Sequence, residues 1–93
     1  MKHTNTVPHF FGSAQLLSQE IGDLFYDALA DVLHLLAQKI DADSQADGAR
    51  GRTKLAKELA ARSQHIEQAA QHIDAAWAIC KPFVDPARQP SKP

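Results

Sequence analysis

Between residues 20 and 41, polar side chains recur at the step of one helical face. Glu20, Asp23, Asp27, Asp31, His34, Gln38 and Asp41 are separated by 3, 4, 4, 3, 4 and 3 positions. At 100° per residue these seven fall within an arc of roughly 80°. Almost everything between them is apolar, including Ile21, Phe25, Leu29, Val32, Leu33, Leu36 and Ile40. The apolar positions spread over about 240°, whereas a surface helix ordinarily buries a stripe little wider than about 100°. A helix patterned in this way needs neighbours on more than one side.

A second helical pattern begins after Gly48 and Gly51, with Thr53 placed to cap it. Leu55, Leu59, Ser63, Ile66, Ala70, Ile73, Trp77, Cys80 and Val84 form a seam at alternating steps of three and four, as in a left-handed coiled coil. Two consecutive heptads repeat one another: Gln64-His-Ile-Glu-Gln-Ala-Ala70 and Gln71-His-Ile-Asp-Ala-Ala-Trp77. Ala56, Ala60, Ala69, Ala70 and Ala76 keep this helix slim, so the bulky side chains of the first helix are expected to pack onto it.

The expected organisation is a flexible N-terminal arm at 1–12, a helical hairpin at 13–84 and a Pro-rich disordered tail at 85–93. Within the hairpin the first helix spans about 13–41, capped by Ser13, a polar loop spans 42–52, and the second helix runs 53–81 until Pro82 stops it. The fold class is therefore all-α: an antiparallel two-helix hairpin. One companion helix leaves part of the first helix bare, and large bare apolar patches are rare on monomers. The hairpin is accordingly expected to assemble as a homodimeric four-helix bundle through Ile21, Phe25, Leu29, Val32, Leu33, Leu36 and Ile40.

Charge refines the orientation. The formal net charge of the 93 residues is −1, but residues 1–49 carry two basic against seven acidic side chains and residues 50–93 carry eight against four. Packing the first helix antiparallel to that of a second copy brings acidic half near basic half. The basic start of the second helix (Arg50, Arg52, Lys54, Lys57 and Arg62) also forms a candidate patch for nucleic acid or an acidic partner. No helix-turn-helix accompanies it, and the chain lacks the overall positive excess of most nucleic-acid binders.

Other chemistry is thin. Asp31, His34, His65 and His72 are the candidate metal ligands, although His65 and His72 lie about 10 Å apart along a helix axis. Asp43 to Gly48 imitates the opening of a calcium-binding loop, but Gln45 and Lys54 stand where acidic ligands belong. Cys80, the single cysteine, excludes an intrachain disulfide and fits a reducing compartment. No nucleophile motif or phosphate loop is present, so no catalytic residue and no cofactor is expected. The apolar run after Ile21 is interrupted by Asp23, Asp27, Asp31 and His34, which argues against a membrane span and for a cytoplasmic location. The pattern points to a non-catalytic interaction protein acting through protein–protein contacts as an adaptor, regulator or inhibitor. Its partners are expected to be a second copy and a further protein, with a nucleic-acid-associated protein and a metal-binding bundle as alternatives.

Overall fold

The computed structural model describes residues 3–84; the expected Pro-rich tail lies outside the described residues. Among them the protein is all-helical, with 78% helix and no strands. Three α-helices follow one another, α1 (Ala14–Gly22), α2 (Tyr26–Ala49) and α3 (Thr53–Cys80), and a single 3-10 turn, Lys81–Phe83, closes the described chain. Among the described residues no helix is long and apolar enough to cross a membrane.

Two boundaries differ from the sequence expectation. The first helix is not continuous from 13 to 41: it breaks at Asp23, Leu24 and Phe25, where Phe25 adopts an extended backbone (φ −54°, ψ 148°). Gly22 is the cause that the apolar periodicity hides. Glycine costs a helix interior about 1 kcal/mol relative to alanine, and Asp23, Phe25 and Tyr26 are weak helix formers that do little to bridge the gap. At the start of α1, Ser13 Oγ accepts the Leu16 N–H at 3.1 Å, the expected N-cap. Ahead of it the Phe10 ring folds over Gly12 and Leu16, while Phe11 is 97% exposed.

The second correction concerns the loop. Residues 42–49 are helical rather than loop, because nothing before Gly48 breaks the helix and local pairs support it: Lys39 with Asp43 at 2.6 Å, and Gln45 donating to Asp41 at 3.0 Å. The turn occupies only Arg50, Gly51 and Arg52. Gly51 takes φ +81°, the Arg52 N–H reaches Asp47 O at 2.9 Å and the Gly51 N–H reaches Gly48 O at 3.0 Å. This is a Schellman cap, which satisfies the last carbonyls of α2 and turns the chain back.

Antiparallel pairing of α2 with α3 is set by small residues. Ser63 Oγ donates to Ala37 O at 2.8 Å, and Ser44 Oγ donates to Ala56 O at 2.6 Å. Such short side chains reach the opposite backbone only when the helices lie close. One heptad further along the same register, Ala30 comes level with Ala70, and both are 0% exposed. The seam is thus Ala30, Ala37 and Ser44 against Ala70, Ser63 and Ala56. Small residues meet small residues, rather than bulky side chains filling the slots of a slim helix.

The seam yields a direct test. Ala70→Leu forces the helices apart and is expected to cost about 1–3 kcal/mol, as overpacking does, whereas Ala61→Leu, on the exposed side of α3, stays within about 0.5 kcal/mol. Urea unfolding followed by helical circular dichroism at one protein concentration measures both, and equal midpoints contradict the close seam.

Candidate functional site

The close seam divides the hairpin into two unlike faces. On α2, His34 lies four residues beyond seam position Ala30, and on α3 Glu67 and Asp74 lie four beyond Ser63 and Ala70. Antiparallel partners related by a half-turn show equal offsets on the same face, so these three side chains meet. The His34 Nδ1 lies 2.7 Å from Glu67 Oε1, and its Nε2 lies 2.8 Å from Asp74 Oδ2. Gln71 donates to the other Glu67 oxygen at 3.3 Å. Asp27, only 7% exposed, flanks the same seam and accepts the Ala28 N–H at 2.8 Å. The polar stripe therefore does not lie opposite the packed face: its Asp27–His34 part runs alongside α3.

Both ring nitrogens of His34 face carboxylates, and only the imidazolium donates from both. Hydrogen bonds to Asp74 and then to Glu67 raise the His34 pKa above its ordinary value, against a smaller opposing desolvation. The clasp engages both ring nitrogens of this candidate metal ligand. The two nitrogens point to different carboxylates on opposite sides of the ring, with no common point for an ion. His65 and His72 sit exposed on α3, and no group of three potential metal ligands converges among the described residues.

Positions three beyond the seam lie on the other face. There α2 contributes Leu33 and Ile40, flanked by Leu29 and Leu36, while α3 contributes Leu59, Ile66 and Ile73. These side chains are half-buried, save Leu36 at 43% exposed. Of the remaining expected interface positions, Val32 sits at the outer edge (37% exposed), Ile21 lies on α1 beyond the break, and Phe25 lies in the break itself. Among the described residues the buried apolar ones are Ala30, Ala37 and Ala70, and no large side chain is fully buried.

The basic side chains cluster around the turn, all exposed. Arg52 is tied to the buried Asp47 at 3.2 Å, so it serves the turn, leaving Arg50, Lys54, Lys57 and Arg62 as the outward charge. Comparisons with known proteins return no matching family model, no matching curated protein and no matching solved structure.

The clasp carries a pH dependence of defined sign. Because the folded-state pKa of His34 is raised, its contribution is full below its unfolded value, about 6.5, and is lost as pH rises through the folded pKa. Thermal midpoints followed by circular dichroism across pH 6 to 8 should fall for the parent more than for His34→Gln. Parallel curves would show that His34 does not account for the slope.

Proposed function

We propose that the protein is a non-catalytic helical interaction module that associates with itself, two hairpins pairing through their apolar faces into a four-helix bundle. The observation that carries this reading is the composition of the buried set. Among the described residues three alanines are its only apolar members, while leucines and isoleucines of both helices share one half-covered face. A buried methylene is worth about 0.8 kcal/mol, so an alanine seam supplies little of the several kcal/mol that a folded domain needs. The missing burial is available on the face bearing Leu29, Leu33, Leu36, Ile40, Leu59, Ile66 and Ile73.

Dimensions and charge favour a second copy as the occupant. The 24 residues of α2 span roughly 36 Å at 1.5 Å each and two helices are about 20 Å wide, a face of roughly 700 Å². Stable interfaces bury about 800 Å² per partner. Glu20, Asp23, Asp27 and Asp31 gather toward the break, and Arg50, Lys54, Lys57 and Arg62 toward the turn. Inverting one hairpin on the other sets each acidic end beside a basic end, as electrostatic complementarity requires. The polar faces, with their His34 clasps, then point outward, where a further protein partner meets them. Adaptor, regulator and inhibitor are the roles this arrangement serves.

Light scattering at micromolar concentration is expected to return twice the 10.2 kDa chain mass. Leu33→Glu combined with Leu36→Glu should yield monomers, whereas Leu35→Glu, 63% exposed and off the shared face, should leave the mass unchanged. A folded, helical monomer from the parent sequence refutes the bundle.

A further inference from the structure

The break between α1 and α2 opens a notch of about 320 Å³ against the end of α3, lined among others by Asp23, Leu24, Phe25, Tyr26, Trp77 and Val84. Three of the six aromatic residues of the chain converge there. Phe25 and Trp77 form a corner, their ring centroids 6.5 Å apart and their planes inclined by 57°, and Tyr26 adds a third ring to the lining. The volume lies at the small end of the range for ligand pockets, about 300–1,000 Å³.

The electrostatic setting is mainly acidic, with Lys81, next to the lining residue Cys80, as its one basic neighbour in the described sequence around the notch. From His3 to Gln38 there is no lysine or arginine, and from Ser63 to Val84 Lys81 alone interrupts the same pattern. Glu20, Asp23, Asp27, Asp31, Glu67 and Asp74 belong to these stretches. The Asp23 carboxylate has no hydrogen-bond or ion-pair partner among the described residues. Aromatic faces carry negative potential and attract organic cations, whose alkyl groups also gain from leaving water. A carboxylate at the rim within an acidic field adds long-range attraction for the same ligand class.

We propose that the notch at the α1–α2 break is a binding site for a small quaternary-ammonium or alkylammonium cation, with Phe25, Tyr26 and Trp77 as its aromatic walls and Asp23 as its counter-charge. The break is then a built feature: Asp23, Leu24 and Phe25, which a continuous first helix would hold on helical backbone, are the residues of the break that line the notch. This assignment is independent of self-association, because the notch lies at the end of the hairpin and the Leu29–Ile40 face lies along its length.

Trp77 is the only tryptophan, so its emission reports on the notch without a label. The full chain is titrated with choline chloride and, separately, with its uncharged isostere in which carbon replaces nitrogen, at constant ionic strength. Light scattering of the same samples follows the assembly. Choline is expected to give a saturable change with a midpoint at least about tenfold below that of the isostere, reflecting the cation's interaction with ring faces and carboxylate. Asp23→Asn, an exposed substitution that leaves the seam intact, is expected to raise the choline midpoint several-fold. No saturable response to choline, an equal response to the isostere, or an unchanged midpoint in Asp23→Asn overturns the site. A dimer mass that persists while choline fails to bind separates this failure from failure of the association reading.

Discussion

The distance between α2 and α3 is the constraint from which the rest follows. Two helices joined by a three-residue turn, with Ala or Ser at every seventh position facing Ala or Ser, approach until serine hydroxyls touch the opposite backbone. That approach gives good van der Waals contact along the seam, but it removes the space in which large side chains would interdigitate. Leu29, Leu33, Leu36, Ile40, Leu59, Ile66 and Ile73 are displaced to one flank, and His34, Glu67 and Asp74 to the other. A single pairing choice thus creates both a polar face closed by an ion-pair clasp and an apolar face wanting cover.

Parts of this were legible in the amino-acid pattern. The second helix was the easier reading, since its 3–4 seam is narrow and Ser63 and Ala70 on it are the residues that end up buried. The first helix misled because a wide apolar arc obscures which part of it packs inside the chain. Ala30, Ala37 and Ser44 carry the contact, yet in a hydropathy reading they are outweighed by Leu33, Leu36 and Ile40. The relevant signal was residue size at a period of seven. Gly22 was likewise overridden by the periodic acids on either side of it, although its helix penalty is what permits the break. Asp43 to Asp47 has the polar composition of a loop, yet Ser44 is a seam residue and Asp47 anchors the turn.

The candidate sites divide in the same way. His34 was identifiable as an unusual residue on a polar stripe, and its pairing was not, because the stripe's relation to α3 depends on the seam register. Asp31, His65 and His72 share residue chemistry with His34 but not its place, and three-dimensional convergence rather than residue type decides whether a ligand set exists. The notch beside Trp77 left no trace in the periodicity at all. It arises at the helix break, where Asp23, Leu24 and Phe25 meet the end of α3.

Register is the remaining difficulty for such a hairpin, and it explains the internal repeat. A seam of small residues every seven positions is nearly indifferent to a slip of one heptad, since Ala or Ser meets Ala or Ser again. The Schellman turn opposes the slip by fixing the loop at three residues, and the two serine–carbonyl bonds add directional contacts. The repeated heptads supply a further device. Glu67 and Asp74 occupy equivalent positions in Gln64–Ala70 and Gln71–Trp77, about 10 Å apart along the axis, and His34 reaches one with each ring nitrogen. In a chain slipped by one heptad His34 keeps at most one of those carboxylates. An exposed ion pair adds little to stability by itself, but an imidazole held by two carboxylates distinguishes the native register from its nearest competitor. The clasp is better understood as a device of specificity, holding one arrangement of the hairpin so that the apolar face is always presented in the same form.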